Sequence, residues 1–428
     1  MSAPAPATRS AASSTNFAMV LLLIIYTLNY LDRQIVNIVA EPIKTELHLS
    51  DTQLGLLTGL AFALFYTLLG IPLARYADSE RTNRPILIAI CLAVWSGMTA
   101  LCGLATSYTQ LLLARIGVGI GEAGCSPAAH SLISDTVPRE QRASAMAFYS
   151  MGIPFGKLFG LLIGGVVANA LGWRMAFILV GLPGVLLALT TWKLLPEPRT
   201  ARNVKTAPPA GASVLQSLAK LLPIRTFWMV SVGAAFMSFL SYGQTSFLGS
   251  FFIRVHGVNV GQAGIMLGLA LGGAGAVGTY YGGKVTDHFA TKDRRAYVLV
   301  PAIASLTGLG LFILAVLLNN LWLALGTLAV ATALTSAWYG PGFALFQNLV
   351  QPPQRAMAAA VSLFLINLIG LGLGPLTFGI LSDTFSHSGL GPSEGLRYAL
   401  VVGSLTSLIA IGLFVAAAKT IESDLPKS

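Results

Sequence analysis

"FAMVLLLIIYTLNYLDRQIVNIVA" fills residues 17–40. It has the roughly 20 apolar residues that one bilayer-crossing helix requires. Asp32 and Arg33 nevertheless stand side by side well inside it. A charge at that depth costs roughly 2.5–3.5 kcal/mol on the mildest scale. The pair is tolerable only if it faces partners or water instead of lipid. The stretch therefore predicts one wall of a helical bundle with a polar interior.

The rest of the chain agrees. Of 428 residues, 55% are hydrophobic and only 10% charged, and the mean hydropathy is +0.74. Soluble domains carry about 25% charged residues, so the chain reads as an all-α integral membrane protein. Residues 1–16 are polar and rich in Ala, Ser and Pro, without the pattern of a cleavable signal peptide. The first span is expected to be its own address. The net charge of +10 does not point to nucleic acid, because the charges sort by loop. With both termini cytoplasmic, only Lys44, Arg174, Arg254 and Arg397 fall outside, and Arg33, Arg115 and Lys157 fall within spans. The other 19 of the 26 Lys and Arg are cytoplasmic. That bias is the positive-inside rule and predicts a multi-pass protein of the cell (inner) membrane. Cys91, Cys102 and Cys125 all sit in apolar stretches and read as packing residues.

Runs of span length fall near 17–40, 53–76, 85–105, 109–134, 142–169, 174–194, 226–254, 260–283, 296–317, 321–349, 355–382 and 397–418. Twelve spans in two six-helix bundles follow: a disordered tail (1–16), a first bundle (17–194), a cytoplasmic linker (195–225), a second bundle (226–418) and a short tail (419–428). Within the linker, Val214, Leu215, Leu218, Leu221 and Leu222 recur at helical spacing. They fit an amphipathic helix on the membrane surface or an ordinary loop helix equally. The halves repeat. "ARYAD" ends at Asp78 and "GKVTD" at Asp287, 209 residues on, while "PREQR" and "PPQR" end at Arg142 and Arg355, 213 apart. Two near-equal offsets argue for a duplicated six-helix unit. Gly152, Gly156, Gly160 and Gly164, spaced by four, form a stripe for close helix approach.

Twelve spans, a central linker and the paired loops at Asp78 and Asp287 resemble the major facilitator superfamily. That resemblance implies that Asp78, Asp287 and the neighbouring Arg142 and Arg355 brace a cytoplasmic gate. Ser79 and Arg81 stand where the loop motif usually has Arg and Gly. "GLLIGG" (residues 160–165) resembles the exporter motif of that superfamily, with Leu161 in place of its Pro. More narrowly, "LNYLDRQIVN", "ARIGVGIGEAGCSPA" and "AFYSMGIPFG" resemble the spinster family, which exports sphingolipids or lysophospholipids. Lys157 departs from that pattern, where a small or polar residue is expected.

Asp32 and Glu122 are the only carboxylates deep within a span, and Arg33, Arg115 and Lys157 the only deep cations. Asp32 lies roughly 12 Å from the outer end of its span and Glu122 roughly 20 Å in from the start of the fourth. The resemblance places these two helices side by side along a central cavity, so Asp32, Arg33, Arg115 and Glu122 can form one cluster. A static ion-pair staple is one reading of it. The other is a proton switch with an anion site: Glu122 as the switch, Asp32 as its alternative or partner, and Arg33 on an anionic head because its planar fork suits phosphate or carboxylate. Arg115, Tyr26, Asn29, Lys157, Gln244, Trp338 and Tyr339 are further substrate-binding candidates, with Ser241 and Asn367 as lesser neighbours. His130 reads as structural. No zinc-spaced Cys/His set, phosphate loop or nucleotide domain occurs, so an enzyme or ATP-driven pump is not expected. The expectation is a monomeric, proton-coupled secondary transporter for an amphipathic anionic lipid. It takes no cofactor or metal and draws its energy from the proton gradient. A carrier of small organic anions or drugs, or a passive channel or scramblase, is the alternative.

Overall fold

The computed structural model describes residues 7–79, 82–138, 141–201, 214–351 and 354–425. Its spans are α1 (Ala7–Ile38), α2 (Asp51–Asp78), α3 (Arg84–Cys102), α4 (Tyr108–Glu122, then Cys125–Thr136), α5 (Arg142–Ser150, then Gly152–Leu171) and α6 (Trp173–Leu194). The second set is α7 (Arg225–His256), α8 (Val260–Ala290), α9 (Ala296–Leu317), α10 (Leu321–Thr335, then Tyr339–Asn348), α11 (Arg355–Leu365, continuing to Phe385) and α12 (Gly391–Ser404, then Ser407–Ala417). The fold is the expected one, all-helical among the described residues; ten of its helices are long and apolar enough to cross a membrane, with the broken α4 outside that set and α11 and α12 counted together as Met357–Ala417. Exposed apolar side chains such as Leu68, Ile90, Leu186, Ile303 and Trp322 supply its lipid-facing surface.

The duplication is written in the helix starts as well as in the loops. Ser50 and Gln53 form a capping box at the start of α2, and Asn259 and Gln262 form one at the start of α8. Each satisfies two backbone N–H groups that a helix start leaves open. Both helices then widen into a π stretch, Leu56–Leu60 in α2 and Gly268–Gly273 in α8. Ser107 caps α4 and Asn320 caps α10 with side-chain oxygens that accept from first-turn N–H groups. The glycine stripe of α5 does what its spacing predicts. Gly152 abuts Tyr26 and Thr27 of α1, Gly156 abuts Thr27, Tyr30 and Leu31, and Gly160 abuts Leu31 and Gln34. The matching glycines of α11, Gly370 and Gly374, abut Ser238 and Phe239 of α7.

Some boundaries differ from the sequence expectation. Helix α1 begins at Ala7, so residues 7–16 are helical, and residues 1–6 lie outside the described residues. Ile421–Asp424 adds a short helix to the C-terminal segment, and Asp424 accepts from the Thr226 N–H at the start of α7. The linker contains the short helices Pro198–Ala201 and Val214–Leu221, while residues 202–213 lie outside the described set. Leu221 is fully buried with Phe227, Phe346 and Leu349, which ties the linker helix into a protein core.

Two compact units emerge: residues 1–35 with 64–206, and residues 36–63 with 207–428. The segment 36–63 thus packs with the second group of helices, away from the boundary that chain order suggests. Two features hold it there. Gly55 and Gly59 of α2 let their backbone approach Pro375 and Gly372 of α11, and a set of ion pairs on Asp51, described below, clamps the start of α2.

Candidate functional site

The first unit holds the deep charges. Arg33 Nε donates to Glu122 Oε2 at 2.6 Å. Glu122 is completely buried and Arg33 is only 8% exposed. Two rings flank the guanidinium, Tyr30 of α1 at 5.0 Å and Tyr66 of α2 at 4.5 Å. Their faces are electron-rich and fix a cation in place. Asp32, one residue earlier, is turned about 100° round the helix. It meets the charges of Glu122 and Arg115 and the side chains of Thr99 and Trp95 on α3. Asn29, also buried, neighbours Glu122. The four residues grouped by their depth in the sequence, Asp32, Arg33, Arg115 and Glu122, lie together in the structure. Helix α4 breaks at Ala123–Gly124, directly after Glu122, so the carboxylate sits at a helix end.

An aromatic ladder leads away from this cluster. Tyr30 packs edge-on against Tyr26, with ring centroids 5.2 Å apart. Tyr26 stacks on Tyr149 of α5 at 4.3 Å, and Tyr149 meets His130 of α4 edge-on at 5.4 Å. Tyr26 thus joins the site through Tyr30. Lys157 is on α5 in the same unit, half-buried.

The candidates of the second unit fall in two places. Trp338 is fully buried in the core of that unit, stacked on Tyr339 at 4.3 Å and on Phe343 at 6.2 Å. Gln244 on α7 is half-buried, and its Nε2 has no hydrogen-bond partner. Nearby on α7, Ser246 donates to Asn37 Oδ1 at 3.2 Å.

The expected gate residues are exposed or only locally bonded. Asp78, Asp287 and Arg355 are exposed, and Arg142 Nε donates to the Val137 carbonyl at 3.2 Å. Among the described residues no ion pair joins Asp78 to Arg142, or Asp287 to Arg355. A different knot forms beside Asp78, and sequence reading missed it. Arg84 is fully buried and binds Glu197 through its backbone N–H (2.9 Å), Nε (3.1 Å) and Nη2, and Asp135 through Nη1 (2.7 Å). Arg199 binds Asp135 at 2.9 Å and donates to the carbonyls of Ala77, Asp78 and Ser79. Burial alone would raise the pKa of Glu197, but the hydrogen bonds from the side chain and backbone of Arg84 and the backbone of Arg199 outweigh it and hold it below the usual carboxylate range. A Glu and an Arg spaced by two in "PEPR" were the available signal.

A second unforeseen knot lies in the other unit. Arg254 of α7 binds Asp51 at 2.7 and 2.8 Å and Glu41 at 2.9 Å. Lys44 reaches Asp51 at 2.5 Å, and the Ser382 hydroxyl donates to it at 2.6 Å. Asp383 accepts from the N–H groups of Asp51 and Thr52 at 2.9 and 2.7 Å. An acid at a helix N-terminus is where the helix dipole favours it.

Twelve apolar spans built on a duplicated plan, with charges buried in their interior, define a polytopic membrane transport protein. The Major Facilitator Superfamily model matches residues 22–375, and the chain belongs to that superfamily. It is 34% identical over 406 residues to an MFS-type efflux pump of Mycolicibacterium smegmatis, covering 94% of this chain and 92% of that protein. It is 33% identical to a bacterial homologue of the human lysosomal transporter spinster, solved inward-facing and unoccupied. That structure superposes with a TM-score of 0.88, covering 97% of this chain and 99% of the other. Protein spinster homolog 1 of Xenopus tropicalis is 27% identical over 431 residues, 95% of this chain and 81% of that protein. The expected relation to spinster proteins holds.

Proposed function

We propose that this protein is a proton-coupled secondary transporter that works by alternating access and carries an amphipathic molecule with an acidic head. The observation that carries the reading is the fully buried Arg33–Glu122 pair, with Asp32 and Arg115 beside it. A buried pair is a poor source of stability, because removing two charges from water costs several kcal/mol per ion. It is well suited to a switch. When Arg33 swings away, Glu122 is left in a water-poor site without its cation, and taking a proton becomes the cheapest way to neutralise it. When Arg33 returns, the proton leaves. Asp32 and Arg115 form the second half of the switch, and Asp32 is the alternative proton site.

The likeness to spinster proteins supports a lipid-like substrate, because a plant relative of this chain bears the name of a sphingolipid transporter. The likeness to an efflux pump supports the second reading, a carrier of drugs or small organic anions. The positive-inside bias supports the inner membrane with both termini cytoplasmic. Asp78, Asp287, Arg142 and Arg355 are proposed to brace the cytoplasmic gate in the state in which that side is shut. The test is transport by purified protein in proteoliposomes under an imposed pH gradient, with a lysolipid panel, glucuronate and a cationic dye as substrates. Gradient-driven accumulation of an acidic lysolipid is expected. Movement of lysolipid with no response to the gradient and no acceleration by substrate on the far side would make the protein a channel or scramblase. Accumulation of glucuronate or the dye alone would establish the second reading.

A further inference from the structure

Five polar side chains in the interior of the first unit meet without closing hydrogen bonds to one another. Asn29, Asp32, Trp95, Thr99 and Glu122 are each at most 2% exposed. Asn29 Oδ1 and Nδ2, Asp32 Oδ1, Trp95 Nε1, Thr99 Oγ1 and Glu122 Oε1 make no hydrogen bond. Helix packing gathers them. Arg33 ties α1 to Glu122 of α4. Gly121, the residue before Glu122, lets α4 press on the backbone of Trp95 in α3. Trp95 and Thr99 are one turn apart and share a face of α3. Ser96 and Ala100 turn the other way, onto Gly181 and Gly184 of α6. Asn29 and Asp32, three apart on α1, share a face as well. Trp95 and Thr99 come close enough to act on Asp32, and Asn29 close enough to act on Glu122.

Buried polar atoms are costly to leave unpaired, and proteins satisfy them with internal water where no protein group reaches. This set mixes donors with acceptors. The Asn29 amide, the Trp95 indole and the Thr99 hydroxyl donate, and the two carboxylate oxygens accept. A cation would face the donors, and an anion would face the carboxylates. Water suits both, because it donates and accepts. We propose that Asn29, Thr99 and Trp95 hold buried water between Asp32 and Glu122, and that this water carries the proton from one carboxyl to the other. When Arg33 returns to Glu122, the water gives a proton to Asp32 and takes the one that Glu122 releases, so water and total charge are unchanged. The inference rests on the proton-switch reading above and deepens it by naming where the proton goes. Asn29, Trp95 and Thr99 are positioning residues in this scheme. The other ionisable groups facing the two carboxyls are Arg33 and Tyr30 on α1, Arg115 and Cys125 on α4, and Cys102 on α3.

The test is infrared difference spectroscopy of the purified protein across a pH titration, which needs no transported substrate. Two signals are followed. One is the protonated-carboxyl band that Asp32→Asn and Glu122→Gln diminish. The other is the O–H band of bound water, identified by its shift in heavy-oxygen water. Wild-type protein is expected to show both. Thr99→Val and Asn29→Leu should lose the water band. Thr99→Val and Trp95→Phe should move the midpoint of the carboxyl band to higher pH by about one unit, a tenfold change in proton affinity, because a lost donor leaves the charged form less supported. Thr99→Ser should restore both signals, and it keeps the test valid where Trp95→Phe does not fold. Melting temperatures report on folding. A wild-type carboxyl band that titrates without any water band overturns the inference and leaves the proton-switch reading intact. So do variants that melt lower but titrate at the wild-type midpoint, which would make Thr99 and Trp95 packing residues. A wild-type protein with no titrating band from Asp32 or Glu122 overturns both.

Discussion

Arg33 illustrates how much a single side chain can be asked to do. Its sequence context suggested a hand for an anionic head, and its surroundings show a residue already engaged by Glu122, Tyr30 and Tyr66. Removing it would leave a buried carboxylate without its cation, which costs about 3–5 kcal/mol if the carboxylate stays ionised. Arg33→Ala should therefore lower the thermal stability of the purified protein strongly at neutral pH. Arg33→Ala combined with Glu122→Gln should recover most of that loss, because no uncompensated charge remains. A melting series of the two single variants and the double variant checks this. Equal melting temperatures for Arg33→Ala and the double variant would contradict the pairing. The four charges could be grouped from the sequence because only so few lie deep in the spans. Their partners could not, since residues 89 apart in the chain meet only through packing. Trp338 shows the converse failure. A large aromatic near a helix break reads the same whether it lines a cavity or fills a core, and here it fills the core.

Helices meet where their surfaces allow it. The α5 stripe allows a close approach to α1, because Gly156 leaves no side chain between its backbone and the Tyr30 side chain and Thr27 carbonyl. Gly156→Leu has no room there and forces α1 and α5 apart. Overpacking of this kind costs about 1–3 kcal/mol or more. The variant is expected to lose thermal stability and to bind substrate more weakly, as α1 carries Asp32 and Arg33. Gly97→Leu, on α3 where an added side chain meets no neighbour within 4 Å, is the control, and equal effects of the two would contradict the close-approach account. Helix ends carry their own chemistry. Glu197 titrates lower in the folded protein than in the unfolded chain. Its contribution to stability is therefore complete above the unfolded carboxylate range, about pH 4, and is lost as pH falls through the folded value. Melting temperatures measured from pH 7 to pH 3 should drop below about pH 4, and Glu197→Gln should be less stable at neutral pH and flatter at the acid end. A wild-type profile that stays level to pH 3 would contradict this. The "PEPR" stretch offers a Glu and an Arg two apart but not their partners, because a linker composition is the same whether its charges are solvated or docked.

At the scale of the molecule, duplication was the most legible feature. It appears as paired loops 209 residues apart, and again as paired capping boxes and paired π stretches in α2 and α8. The grouping of residues 36–63 with the second unit was not legible, since it rests on Gly55, Gly59 and the Arg254–Asp51 contacts, all of them tertiary. Both halves share the helical plan, but among the described residues only the first buries charge deep in its spans. The account therefore stands on one residue more than on any other, Glu122. The direct test is to place Glu122→Gln protein in proteoliposomes and measure two rates, accumulation of an acidic lysolipid driven by a pH gradient and its exchange at equal pH. The account predicts that gradient-driven accumulation is lost while exchange persists. Accumulation that continues at the wild-type rate would contradict it and move the proton to another group, with Asp32 first in line.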